Sequence, residues 1–269
     1  MPRSRCARKQ EHDEARLALD PGDCRQRGPD AAGVLPASWV AQMVETQTGG
    51  RLTLGDAQGT LWRGSAFIGG AASGKDAVTP LLPGRFAWKL SPLVLVGSVD
   101  VELSNPESLS QPVNLRGGFS QWQISPAAIM LPAEGLSGLG APLNTLAPSG
   151  RMKLSWTSLQ LAREGNAVSL NGRTTLEMQD MASRLTSIRP LGSYTVALDW
   201  QGQVANLLLG TVKGPLLLSG TGKIDHGRLQ FSGQAEAASG YEDTLAGLLN
   251  LLGQRRPNSV KNVIALEFR

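Results

Sequence analysis

The chain has 269 residues, 32 of them glycine and 16 proline, with 41% hydrophobic residues, 18% charged residues and a formal net charge of +4. That hydrophobic fraction is too high for a disordered chain and too low for a polytopic membrane protein, and the glycines follow no G-X-Y period, which excludes collagen. Two cysteines and two histidines leave almost no stock for metal sites or His-based catalysis, and the positive charge is not gathered into a patch that would point to nucleic acid.

Residues 1–30 do not share the composition of the rest. They hold seven of the 26 Lys/Arg and six of the 22 Asp/Glu, both cysteines (Cys6, Cys24) and His12, and no Val, Ile, Phe, Trp, Tyr, Thr or Asn. Leu17 and Leu19 show no face that could pack. Two readings stand side by side: a disordered, solvated tail, or GC-rich DNA translated out of frame. Nothing before residue 34 offers the apolar stretch of a signal peptide. The chain as written has no apolar run long enough to span a bilayer as a helix.

Beyond this segment, Trp39-Val-Ala-Gln-Met-Val-Glu45 predicts a short helix with Ser38 as its N-cap. From Arg51 onward the period is two. Arg51–Leu54 alternates, and Gly59–Trp62 resumes after a Gly-Asp turn; Phe86, Trp88 and Leu90 alternate. Val99, Val101 and Leu103 follow the apolar run Leu93–Val96. Met152, Leu154 and Trp156 lead to Leu159 and Leu161, and Tyr194, Val196, Leu198 and Trp200 give the cleanest case. Each pattern predicts a strand with one buried face. Asn171-Gly172 is the strongest hairpin signal, because both positions tolerate positive φ. Arg163–Asn166, Gln201-Gly202 and Asp225-His-Gly227 predict further tight turns, and Gly220 and Gly222 predict bulges or bends. Glu242–Leu252 predicts a helix, with early acids at its N-terminus, Leu245, Leu248, Leu249 and Leu252 on one face, and Gly253 and Pro257 to stop it. Ile264, Leu266 and Phe268 read as a final strand pairing back. The expected fold is therefore mainly β: a long, twisted, curled antiparallel sheet, half-open and barrel-like, with a few short helices packed on it. The expected division is a segment 1–33 and a single β-rich domain over 34–269.

The candidate chemical sites are weak. Gly69–Asp76 nearly matches the phosphate-binding loop, but Asp76 stands where a Mg²⁺-binding hydroxyl belongs, and Pro80 and Pro83 oppose the helix that must follow. His226 reads as a turn residue, and Glu242-Asp243 as helix N-terminal charge. No G-x-S-x-G, H-E-x-x-H or C-x-x-C occurs. No catalytic, cofactor-binding or metal-ligating residue is assigned. Arg184, Arg189 and Arg255-Arg256 offer a basic surface for lipid headgroups or an acidic partner, against ordinary solvated charge. The tryptophans fall mostly at strand positions and read as packing residues more than as a carbohydrate platform. An outer-membrane barrel is disfavoured by the scarcity of Tyr and Phe for aromatic girdles.

Several spaced segments carry a resemblance. They are Leu35-Pro-Ala-Ser-Trp39, Leu54-Gly-Asp-Ala-Gln-Gly-Thr-Leu-Trp-Arg-Gly64, Pro83-Gly-Arg-Phe-Ala-Trp88, Leu139–Leu146 with Pro148-Ser-Gly-Arg151, and Leu154-Ser-Trp156. Arg189-Pro-Leu-Gly-Ser-Tyr194, Gly214-Pro-Leu-Leu-Leu218 and Glu242–Gly253 complete the series. Together, over about residues 34–269, they resemble the type II secretion system protein N family. The resemblance implies a non-enzymatic component of the machine that exports folded proteins across the bacterial outer membrane. It implies an inner-membrane location, single-pass, with the main domain in the periplasm. It also implies the inner-membrane assembly platform and the outer-membrane secretin as partners, with no cofactor, nucleic acid or small-molecule substrate. The family's anchor belongs immediately before Leu35, where residues 1–33 stand instead. The expectation is a frameshift or mis-set start, which translation of the upstream DNA in the other two frames tests. The alternative function is a periplasmic lipid-binding or lipid-transfer protein with an apolar β-groove. The sequence names no partner interface.

Overall fold

The computed structural model describes residues 35–71, 78–134, 147–165, 167–255 and 263–268, all within one unit, Leu35–Arg269. Helix α1 (Ala37–Gln47) opens it, followed by β1 (Leu52–Gly59), β2 (Arg63–Gly70), β3 (Thr79–Pro80) and β4 (Phe86–Leu90). A 3₁₀ turn η1 (Pro92–Val96) leads to β5 (Val99–Ser104), β6 (Val113–Gly117), β7 (Gln121–Ile124), β8 (Ala127–Pro132), β9 (Ser149–Trp156) and β10 (Leu159–Glu164). The long strands follow: β11 (Ala167–Ala182), β12 (Gly192–Gly202), β13 (Val204–Lys213), β14 (Leu216–Asp225) and β15 (Arg228–Ala237). Helix α2 (Glu242–Leu252), β16 (Gln254–Arg255) and β17 (Ile264–Phe268) end the chain.

All the strands lie in one antiparallel sheet that is not closed. Its order follows the sequence, as a meander. β7 and β8 act as one bent strand facing β10 and β9, which are themselves in line; β11 then pairs with β10 through its first residues and with β9 through its last. The expected mainly-β antiparallel architecture is what the structure has. Because the strands alternate in direction, the tight turns β1–β2, β6–β7, β10–β11, β12–β13 and β14–β15, and η1, share one end of the sheet, here the turn end. Leu35 is at that same end, where its carbonyl accepts a hydrogen bond from the Leu61 amide and Pro36 bridges Thr60. The described connections β5–β6 and β11–β12, with the start of α2, occupy the opposite, loop end.

Helix α2 buries Leu245, Leu248 and Leu249, with Leu252 partly covered, against Leu216, Phe231, Ala235, Ile264 and Leu266 of the sheet. The face predicted from the i, i+3, i+4, i+7 spacing is the face that packs. A second cluster joins Ala133, Met152, Met181 and Tyr194. Here the sheet coils. The Tyr194 hydroxyl on β12 donates to the Leu216 carbonyl of β14 at 3.0 Å. Two ladder spacings of about 4.8 Å separate those strands in a flat sheet, so the contact requires the sheet to bend toward this side chain.

Several local expectations are corrected. Pro36, not Ser38, is the N-cap of α1, and no side-chain cap bond forms; Ser38 lies inside the helix. Gly55-Asp56 is no turn: β1 continues through it with a bulge, Asp56 sits at φ 48°, and the chain reverses over Thr60–Trp62 instead, where a strand was expected. Asn171-Gly172 lies within β11, paired to both neighbours, while the reversal falls at Glu164–Ala167. Ladder hydrogen bonds on both sides outweigh the local turn preference. Asn171 contributes to a different turn: its side-chain oxygen accepts from the Gly202 amide at 3.1 Å. Gly220 and Gly222 mark no bulge, since β14 and β15 stay in register from Leu216 to Asp225. They make room instead for the Phe231 ring, which an added Cβ at Gly220 would meet at 2.4 Å.

Candidate functional site

The registers sort the side chains into two unlike faces. Walking across the ladders from β8 to β17, one row reads Ile129, Leu154, Leu176, Val196, Leu209, Gly220, Gly233, Leu266. A parallel row reads Trp156, Thr174, Leu198, Leu207, Gly222, Phe231. The row one residue over, on the opposite face, reads Arg173, Asp199, Asn206, Lys223, Gln230. Period-two alternation in the sequence thus becomes one continuous apolar face and one polar face.

The apolar face is the candidate site. Trp88, Trp122, Trp156 and Trp200 lie along it, and each is only half-buried. Three of their indole N–H groups are satisfied within the sheet: Trp88 by the Leu61 carbonyl at 3.0 Å, Trp156 by the Ser125 carbonyl at 2.9 Å and Trp200 by the Thr174 hydroxyl at 3.2 Å. With the polar edge tied down, the rings lie across neighbouring strands and present hydrocarbon to whatever covers them. Trp88 lies over Gly64, where a Cβ would stand 2.4 Å from its ring. The glycine excess seen in the composition therefore has a partial cause: on this face glycine admits a flat aromatic ring.

The polar face carries ion pairs between neighbouring strands. Arg173 pairs with Asp199 at 2.6 Å, and Asp180 sits between Arg151 at 3.1 Å and Lys213 at 3.2 Å. The Lys213 hydrogen bond and charge, then Arg151, hold the Asp180 carboxyl below its ordinary range. A cavity of about 400 Å³ between Arg151, Glu177, Asp180, Ser193 and Lys213 holds both charge signs in exposed positions. Such exposed pairs contribute little to stability.

The sequence candidates are scattered. The near-match Gly69–Asp76 begins in β2, and its residues 72–77 lie outside the described residues. His226 is an exposed turn residue at φ 49°, its Nδ1 against the Asp225 carboxylate, which that bond and Lys223 hold below its ordinary pKa. Glu242 accepts the Gly240 amide at 2.7 Å at the start of α2, and Asp243 is exposed beside it. Arg184 and Arg189 are exposed on the β11–β12 connection, while the Arg255 side chain and all of Arg256 lie outside the described residues. Among the described residues no group of His, Cys, Asp and Glu is placed to hold a metal ion, and no helix is long and apolar enough to cross a membrane.

One feature escaped the sequence reading. The run Leu93–Val96 precedes β5 not as buried chain but as the exposed turn η1, capped by the Ser91 hydroxyl, which accepts from the Leu93 amide at 3.3 Å. Pro92 at its first turn, and Gly97 at φ 89° closing it, are the signals in the sequence.

A family model described as "Type II secretion system (T2SS), protein N" matches residues 50–261. No curated protein and no solved structure matches the chain.

Proposed function

The chain belongs to the type II secretion system protein N family, and from that premise we propose that it is a non-enzymatic scaffold of the machine. In this reading the unit Leu35–Arg269 lies in the periplasm, held to the inner membrane by an anchor that precedes Leu35. Membership implies other type II secretion components as partners. The inner-membrane assembly platform and the outer-membrane secretin are the specific ones proposed. The family match over residues 50–261 carries the reading. Support comes from the sheet, whose half-buried tryptophans offer apolar area for docking. Deleting the gene tests it. Secreted proteins should be stranded, folded, in the periplasm and be released again by the wild-type gene; unchanged export in the deletion strain overturns it.

A second reading, lipid binding or transfer along the β-sheet, is favoured by the continuity of the apolar face across the ladders. Acyl chains ask for apolar area and no directional bonds, which is what that face supplies. Native mass spectrometry of the purified chain separates the two. Stoichiometric co-purified lipid supports the second reading, and its absence leaves the face to protein partners.

A further inference from the structure

The strongest unassigned feature is at the turn end. Leu93, Leu95 and Val96 of η1 and Phe119 of the β6–β7 turn are between 57% and 80% exposed. They belong to one patch, because the Phe119 ring lies on Gly97, the C-cap of η1; a Cβ at Gly97 would meet that ring at 2.1 Å. No charged residue occurs in Ser91–Ser98 or in Gly117–Ser120. Holding this much apolar surface in water is unfavourable, and its residues neither fill a core nor carry hydrogen bonds through their side chains.

We propose that this knob is a lipid-contacting tip that seats the unit on an anionic bilayer. Three observations select lipid over protein as the occupant. The knob is wholly aliphatic and aromatic hydrocarbon, whereas protein interfaces centre on Tyr, Trp and Arg, whose polar ends need partners. Exposed Arg63 and Arg163 stand on the adjoining strand ends, facing Lys89 and Val168 across their ladders instead of an acid. Lys89 and Arg116 are also close by, each paired with a carboxylate, Glu102 and Asp100, and Glu164 is hydrogen-bonded to Ser169. Apolar residues flanked by cations suit acyl chains and anionic headgroups respectively. Finally, Leu35, the first residue of the unit, sits at this same end, and exposed Trp39 follows it on α1. Tryptophan favours the headgroup level of a bilayer. The proposal rests on the anchored reading above and assigns which end of the sheet faces the membrane.

Flotation of the full chain with vesicles of phosphatidylethanolamine and phosphatidylglycerol tests it, because residues 1–34 supply no apolar span to bind instead. The wild-type chain should float with these vesicles, and more weakly with phosphatidylcholine alone. The double variant Leu95→Asp with Val96→Asp should lose at least about tenfold in partitioning, with unchanged Tm, since both side chains are in solvent. Leu251→Asp, also largely exposed but at the loop end, should float as wild type. A wild-type chain that stays unbound, a double variant that binds normally, or an equal loss in Leu251→Asp overturns the proposal. Export measured in the same strains keeps the two readings apart. Normal export on gene deletion defeats the secretion role without touching vesicle binding, and absent vesicle binding defeats the tip without touching export. A double variant that binds vesicles but fails in export would mean a protein occupant, and would overturn the lipid assignment.

Discussion

The same apolar face is finished in two ways. Over β13–β17, helix α2 lies on it, and Leu245, Leu249 and Ile264 become fully buried. Further along, the rows through Trp88, Trp122, Trp156 and Trp200 stay half-exposed. The strands are alike in pattern, so the difference is not in the strands. It comes from what covers them: helix α2 lies over the one part, while the half-buried tryptophans mark the other. The covered part works as a core for stability; in the rest, among the described residues, the tryptophans keep part of their rings exposed. On the proposed reading, an open sheet serves both folding and binding by closing enough of its hydrocarbon to hold together and leaving the remainder.

Substituting one leucine in the covered part should break the molecule most. Leu249 is 1% exposed at the centre of the α2 cluster. Leu249→Ala removes its transfer energy and leaves a cavity between helix and sheet, with an expected cost of about 2–5 kcal/mol in denaturant unfolding. Trp156→Ala on the other part should cost less, about 2 kcal/mol, although the side chain removed is larger. Much of the indole already meets water, and its main loss is ring packing plus the bond to the Ser125 carbonyl. Export, in contrast, should suffer more from Trp156→Ala than from a core change at least as costly in stability, such as Leu249→Ala. If Trp156→Ala destabilises as strongly as Leu249→Ala, the face is an ordinary core and the contrast collapses.

How far the sequence discloses this contrast depends on the range of the interaction. Period-two alternation shows that Tyr194, Val196, Leu198 and Trp200 share a face, and the 3.6 period shows which side of Glu242–Leu252 is apolar. Turns whose chemistry is local were legible: at Asp225–Arg228 the positive φ of His226 and Gly227 forms the expected hairpin. Asn171-Gly172 misled because its conformation is decided by β10 and β12, which are distant in sequence or unseen in a local window. Gly220 and Gly222 misled for the same reason: their role is set by the Phe231 ring packed on them. Leu93–Val96 is apolar in the sequence like any buried segment, and only the meander reveals that it lies beyond the strand ends. Of the candidate site, the alternating face was readable, whereas its division into covered and uncovered parts was not, because pattern reports amphipathicity and not the partner.

The smallest expected effect tests the seam between the two parts. Tyr194 belongs to the Met152–Met181 cluster, while its hydroxyl reaches Leu216 of the α2 cluster. Tyr194→Phe keeps the ring and removes only that hydrogen bond, so the expected loss is about 1 kcal/mol. The pH dependence identifies the contact more specifically. Burial pushes the phenol above its ordinary value of 10.0, so the folded chain keeps its proton where the unfolded chain has begun to release it. The stabilisation is therefore fully present below the unfolded pKa and is lost progressively as the pH rises past it toward the folded value. Denaturant midpoints of the wild type should fall faster with pH above about 10 than those of Tyr194→Phe. Parallel slopes for the two proteins would mean that this hydroxyl is open to water, and that the seam holding the covered part to the rest is not closed at Tyr194.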